Sequence, residues 1–231
     1  MREITAVLMD EYCPPADRYI LDAGCGTGIN IDWLKRYAGG GKVFGLDLVS
    51  DAISFCRERG FKGLVQASAT DLPFADEMFD LVTSFDVLVQ IPGEGSDDKA
   101  IAEMYRVLKP NGLAFVRGAA YEWMHSGHDK AMDTQRRYSL NQLAGKLEKQ
   151  NFKIIRKTYA NTIPFPAAVI RRLVLKKIGL SDSGSDVKPL SPRLQWLNTL
   201  LTKALLIEAR HLKKQKAKLP FGLSAICVVR K

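Results

Sequence analysis

Ile20-Leu21-Asp22-Ala23-Gly24-Cys25-Gly26-Thr27-Gly28 is a short apolar run that ends on an acid and opens into three glycines at alternate positions. The apolar part reads as the end of a buried strand, and helical spacing begins just beyond it. Glycine at such a turn lets the backbone bend sharply and lets a ligand approach where a Cβ would push it away. One glycine would read as an ordinary strand-to-helix turn, but three after an acid read as a ligand loop. The dinucleotide fingerprint spaces its glycines G-x-G-x-x-G; here the string is one residue tighter.

Outward from this loop, short apolar runs alternate with helical patterns. Arg18–Ala23, Lys42–Asp47, Gly63–Ala67, Phe79–Ser84 and Leu113–Gly118 are strand candidates, each bounded by turn residues. Ile4–Tyr12, Asn30–Ala38, Ser50–Arg59 and Asp97–Leu108 carry apolar residues three and four apart. The last is closed by the turn Lys109-Pro110-Asn111-Gly112. This alternation predicts βαβ units and a mostly parallel, doubly wound α/β sheet covered on both faces. After Gly118 the rhythm changes. Residues 119–138 are polar and aromatic with two histidines, and read as an active-site loop or lid. A helix at Ser139–Gln150 and a strand at Phe152–Tyr159 follow. Two basic amphipathic stretches at 163–180 and 191–218 come next, and Leu219–Val229 returns to strand character. The 231 residues are expected to form one domain, with 161–218 as a helical insertion before the last strand.

Asp47 ends the strand after the glycine loop, where a carboxylate can accept both ribose hydroxyls of a nucleoside. Its position one βα unit downstream favours a nucleoside-bearing ligand. Charge is divided unevenly. Residues 1–110 hold 11 Lys/Arg against 18 Asp/Glu, and residues 111–231 hold 23 against 7, so the halves stand at −7 and +16. A basic half suits anionic partners, nucleic acid or an anionic membrane, although solvated lysines are common without such a role. Cys13, Cys25, Cys56 and Cys227 show no paired metal-ligand spacing, so zinc is not expected. With no N-terminal signal segment and no apolar run long enough to span a bilayer, a reducing, cytoplasmic setting is expected.

The order and spacing of Ile20–Gly28, Gly45-Leu46-Asp47, Asp71-Leu72-Pro73-Phe74, Phe79-Asp80-Leu81-Val82 and Arg106-Val107-Leu108-Lys109-Pro110-Asn111-Gly112 resemble the class I S-adenosylmethionine-dependent methyltransferases, in the bacterial ubiquinone-biosynthesis-like branch. The resemblance covers residues 18–118. It implies a Rossmann-like seven-stranded sheet with an antiparallel last strand, and S-adenosylmethionine as cofactor. It also implies that Gly24, Gly26 and Gly28 pass the methionine and ribose portions, that Asp22 orients the loop, and that Asp47 and Leu48 hold the nucleoside. Ser68-Ala69 falls where the family presents Asp and a small residue to adenine, so Ser68 departs in lacking charge. Phe85 and Gln90 follow the fourth strand at the edge that binds ligands, with Gln90 where His often stands.

More loosely, Trp123-Met124-His125-Ser126-Gly127-His128-Asp129 and Arg136-Arg137-Tyr138 resemble the segments W-x-x-S-x-H-D and R-R-Y of similar methyltransferases, with Thr134 in place of a histidine. If the acceptor is a hydroxyl, a base helps, and His125, His128 and Asp129 are the candidates by location. The alternative is that Asp129 merely fixes His128 and the arginine pair. Ile170, Leu173, Val174 and Ile178 share one helical face, as do Leu194, Leu197, Leu201, Ala204, Leu205 and Leu212. These helices are expected to pack over the cofactor cleft. The sharper alternative is a lid that also approaches an amphiphilic substrate at an anionic surface. The expected activity is O- or C-methylation of a small organic or amphiphilic acceptor. A nucleic-acid methyltransferase and a catalytically inactive cofactor-binding partner protein are the competing expectations. The first lacks an RNA-binding module, and Ser68, Gln90 and Thr134 motivate the second.

Overall fold

In the computed structural model, which describes residues 1–14, 16–177, 195–214 and 217–231, one sheet gathers seven strands. They are β1 (Tyr19–Ala23), β2 (Lys42–Asp47), β3 (Leu64–Gln66), β4 (Phe79–Phe85), β5 (Leu108–Ala119), β6 (Lys153–Ala160) and β7 (Ser224–Arg230). Their order across the sheet is β3-β2-β1-β4-β5-β7-β6. The first five run parallel, and β7 lies antiparallel between β5 and β6. The resemblance implied one antiparallel last strand; here that strand is slotted inside the sheet, so both of its neighbours are antiparallel to it.

Alternation along each strand builds two cores. Ile20, Leu81, Phe115 and Ile226 face one side, where α1 (Arg2–Tyr12), α2 (Ile31–Ala38) and α8 (Gln195–Leu212) pack. Their neighbours Leu21, Val82, Val116 and Cys227 face the other side, under α4 (Ser96–Val107) and α6 (Leu140–Lys149). Successive strand residues point to opposite faces, so a sheet covered on both sides is apolar at most positions. α3 (Ser50–Glu58) buries Ile53 and Cys56 against the glycine-loop side.

The structure shifts several expected boundaries. α4 stops at Val107, and Leu108 already pairs with Phe79. The register then jumps, so that Leu81 faces Leu113 and Lys109–Gly112 bulges from the strand with Asn111 at φ 65°. The turn chemistry is as read, but it sits inside β5 rather than before it. β7 begins at Ser224 rather than Leu219. The reading of 119–138 as aperiodic overlooked a single 3-10 turn at Glu122–Met124 and a short α5 (Gly127–Ala131). Ser139 caps α6 by accepting from the Gln142 amide, while the Gln142 side chain accepts from the Ser139 amide.

The two basic stretches are helical over α7 (Phe165–Lys177) and α8. Ile178 and Leu194, and the side chains of Leu173, Val174 and Leu197, lie outside the described residues. Leu205 and Leu212, with Ala209, do turn inward, but onto α1 and the sheet face; Ala204 is buried and Leu201 half-buried beside them. The expectation that this helix packs over the cofactor cleft is thereby corrected. Arg156 of β6 fixes its C-terminal end, donating to the carbonyls of Leu212 (2.7 Å) and Ala217 (2.8 Å) while pairing with Glu11 of α1.

Because Ala119, Ser224 and Ala160 lie side by side, the segments after β5 and β6 and the segment before β7 emerge at one edge. The loops after β1, β2 and β4 emerge there too. The strand order reverses between β1 and β4, the crevice where open α/β sheets take their ligands.

Candidate active site

Beyond β1 the amides of Gly24 and Cys25 both donate to the Leu46 carbonyl, at 2.7 and 2.8 Å, drawing the glycine loop across the end of β2. Gly24, Gly26 and Gly28 all have positive φ, at 90°, 51° and 77°. Their surroundings differ. A Cβ on Gly24 would collide with a Val87 methyl, and one on Gly28 would stand 2.7 Å from the Phe61 ring and 2.8 Å from Cys56 Sγ. A Cβ on Gly26 would meet nothing within 4 Å. The outer glycines permit packing, and the middle one keeps a space open.

Asp47 stands beside that middle glycine. Its Oδ2 accepts from the Gly26 amide at 2.7 Å, and its Oδ1 accepts from the Val49 amide at 3.0 Å. Behind the loop the Cys56 thiol donates to the Gly26 carbonyl at 3.2 Å. Burial pushes the Cys56 and Cys25 thiols up, so both stay protonated and serve as packing. Ile29, Leu48 and Val49 are exposed around this loop. Such bulky side chains next to an open glycine form an apolar rim. Of the three, only Leu48 was anticipated, because the other two belong to no motif.

Asp22 is fully buried. Its Oδ1 accepts from Thr83 Oγ1 at 2.8 Å, while Oδ2 has no partner. Burial pushes its carboxyl up to about 7, against the Thr83 hydrogen bond and the Arg117 charge. Between an ordinary carboxyl value near 4 and about 7, the folded protein therefore holds a proton that the unfolded chain has released. Stability falls as pH rises through that window, by up to about 1.4 kcal/mol per pH unit. Asp22→Asn is expected to flatten this slope. In thermal unfolding it should melt higher than the parent at pH 8 and equally at pH 4.5; parallel profiles would refute it.

Further along the edge, Ser68 and Ala69 follow β3. Ser68 Oγ lies 2.8 Å from Thr70 Oγ1 and accepts from the Thr70 amide at 3.2 Å, so the hydroxyl closes its own turn. Phe85 packs on Phe115 with the Arg117 guanidinium over its ring, and so belongs to the core behind the crevice. Gln90 is exposed and donates through Nε2 to the Met132 carbonyl at 3.1 Å. This bond braces the 119–138 segment.

That segment is held by the residues expected to act chemically. Asp129 is buried and accepts from Arg137 Nε at 2.8 Å and from the Ser126 amide at 2.8 Å. Burial would raise its carboxyl, but Arg137 and Ser126 together hold it below the usual range. A carboxylate so occupied is a poor proton acceptor, which corrects its assignment as a base. Arg136 donates to the carbonyls of Ile91 (2.9 Å) and Gly93 (2.7 Å), and the Tyr138 hydroxyl donates to Asp97 at 2.7 Å. The Arg-Arg-Tyr run is thus a clamp joining this segment to the loop before α4. His125 is half-buried just after the 3-10 turn; the side chain of His128 lies outside the described residues. Asp129→Ala strands Arg137 in the interior, and is expected to cost about 3–5 kcal/mol in urea unfolding. A variant as stable as the parent would return Asp129 to the catalytic candidates.

Beside the clamp, five aromatic rings meet. Tyr121 stacks on Tyr159 (5.1 Å between centroids) and touches Trp123 (5.7 Å) and Phe165 (5.5 Å), which touches Phe221 (5.4 Å). Tyr121 has φ 63° and ψ 108°, a conformation a bulky L-residue adopts only when its surroundings impose it. Asp86, at the end of β4, also has φ 63°, and is held by Arg117 at 2.5 Å. Strain at the ends of adjacent strands marks the edge where the glycine loop also lies. Of these rings only Trp123 falls in a motif, and the cluster is not legible in sequence because its members come from three segments, at 121–123, 159–165 and 221, that meet only on folding.

Residues 21–116 match the family model described as a methyltransferase domain. Over that stretch, less than half of its length, the chain is similar to S-adenosylmethionine-dependent methyltransferases. It is 41% identical over 96 residues to a fatty-acid O-methyltransferase of Mycolicibacterium smegmatis, covering 40% of this chain and 34% of that protein. It is 35% identical over 105 residues to a tRNA (carboxymethyluridine(34)-5-O)-methyltransferase of Arabidopsis thaliana, covering 44% of this chain and 24% of that one. The chain thus spans only about a third or less of the length of these curated relatives. An S-adenosylmethionine-dependent methyltransferase structure from Mesorhizobium loti superposes with TM-score 0.63 at 14% identity, covering 100% of this chain and 98% of that one, which shows the shared fold.

S-adenosylmethionine, the cofactor that the resemblance implies, suits the glycine loop on structural grounds. Gly26 offers a cradle that a Cβ would fill, Asp47 presents a carboxylate beside it, and Asp22 carries an orphaned buried oxygen below. Among the described residues no cluster of three His, Cys, Asp or Glu could hold a metal ion.

Proposed function

We propose that the chain transfers a methyl group from S-adenosylmethionine to the oxygen or carbon of a small organic or amphiphilic acceptor. The cofactor would supply an electrophilic methyl on a sulfonium. Gly26 leaves room for it, Asp47 would accept from ribose hydroxyls, and Ser68 and Ala69 would line the adenine end. Phe85 and Gln90 would then act indirectly, the first by backing the crevice and the second by bracing its wall. Methyl transfer forms no covalent enzyme intermediate, so alignment and exclusion of water supply much of the rate. The Arg136–Arg137 clamp fixes the wall that does this, and His125 is the candidate base for a hydroxyl acceptor.

The observation that carries the acceptor class is the cluster of Tyr121, Trp123, Tyr159, Phe165 and Phe221 at the sheet edge that also bears the glycine loop. An aromatic wall suits an apolar body with one polar end. The test is methyl-donor turnover against a panel of long-chain carboxylic acids, phenols and quinol-like compounds, with tRNA alongside. Turnover of an amphiphilic acceptor is expected, and Trp123→Ala should raise its KM by about tenfold or more while leaving S-adenosylhomocysteine affinity unchanged. Methylation of tRNA alone would overturn the acceptor class. Cofactor binding without turnover of any acceptor would favour a partner-protein role.

A further inference from the structure

α8 has two faces of opposite character. Leu201, Ala204, Leu205, Ala209 and Leu212 turn inward at spacings of three and four. On the outward side, Leu200 is 57% exposed and Ile207 59%, seven residues apart and hence on one line of the helix. The exposed Lys203 and Arg210 form a second line beside them, and Lys213 and Lys214 follow. The start of α7 repeats the pattern. Pro166, Ala167 and Ile170 are exposed along its first turns, Ile170 at 63%, with Arg171 next in sequence and Ile163 exposed in the turn before the helix. An ordinary solvated face carries polar residues at such positions.

We infer that the outward faces of α7 and α8 dock on an anionic lipid surface. Aliphatic side chains that enter the acyl boundary, alternating with cations that meet lipid phosphates, form the pattern of an interfacial helix. Nucleic acid would engage the cations and leave the leucine and isoleucines in water. A second copy of this chain would bring two halves of charge +16 together. Among the described residues no helix is long and apolar enough to cross a membrane. The surface also adjoins the crevice: α7 begins at Phe165, in contact with Tyr121 and Phe221, and Ile163 donates its amide to the buried Glu208 of α8 at 2.7 Å. An acceptor drawn from the bilayer would reach the aromatic wall directly. That last link rests on the proposed function; the lipid contact does not.

Sedimentation of the full chain with phosphatidylcholine vesicles, with or without an equal part of phosphatidylglycerol, tests the inference. Binding is expected only to the anionic vesicles, and more weakly as salt rises. Lys203→Gln with Arg210→Gln should weaken it by about thirtyfold. Leu200→Ser with Ile207→Ser should weaken it at least tenfold even at low salt, as about two buried aliphatic side chains require. Circular dichroism and S-adenosylhomocysteine calorimetry on each variant keep the two readings apart. Loss of cofactor binding in the parent would sink the methyltransferase reading and leave the vesicle result standing. No sedimentation at low salt, indifference to the serine pair, tighter binding to tRNA than to vesicles, or a stable dimer that buries Leu200 would each overturn the docking surface.

Discussion

Asp47→Ala is expected to weaken S-adenosylhomocysteine binding by about a thousandfold, equivalent to about 4 kcal/mol. The carboxylate does two things that an alanine cannot. It takes the Gly26 and Val49 amides, at 2.7 and 3.0 Å, and so fixes the glycine loop relative to β2. Its acceptor capacity also exceeds those two bonds, because an ionised carboxylate has room for about four donors. The ribose hydroxyls would use the remainder. Asp47→Asn keeps one accepting oxygen and introduces a donor facing an amide N–H, so an intermediate loss of about thirtyfold is expected. Calorimetric titration decides it. An alanine variant within threefold of the parent would remove Asp47 from the cofactor site.

The second large effect separates glycines that share one motif. Gly26→Ala introduces a Cβ into open space, so its cost to the apo protein is confined to positive φ, about 1–2 kcal/mol. Its cost to cofactor binding should be larger, from about tenfold to more than a hundredfold, because that space is where the ligand must lie. Gly28→Ala meets Phe61 and Cys56 with the same backbone penalty, so about 3 kcal/mol or more should be lost from folding itself. Urea unfolding and S-adenosylhomocysteine titration of both variants form a two-by-two test. If Gly26→Ala binds normally, the open space is not the cofactor's.

Most of the sheet was legible because buried parallel strands are nearly continuous apolar runs, and turn residues punctuate them. The place of Asp47 beside the glycine loop could be read from spacing, since a βα unit fixes where the second strand ends relative to that loop. What could not be read depends on chain segments that meet only after folding. For Asp129 the sequence leaves two readings open, a base or an anchor for the arginine pair; the structure shows it paired with Arg137 in the interior. Gln90 reads as a ligand contact because it follows β4, and spacing gives no sign of its bond to Met132, 42 residues on. The inward face of α8 was visible as helical periodicity. Its destination, α1, was not, because periodicity says that a face is buried and is silent about what buries it.

The slot occupied by β7 also has a consequence for how the polypeptide is made. β5 pairs with β7 from Leu113↔Arg230 to Ala119↔Ser224, contacts separated by more than a hundred residues. During synthesis β5 and β6 leave the ribosome before the strand that lies between them, so each presents a bare rim of peptide groups until β7 arrives. Closure of the sheet is set by the last segment of the fold rather than the first. A ribosome that stalled before Ser224 would leave two adhesive borders, making this half of the sheet the part most dependent on chaperones and quickest to aggregate.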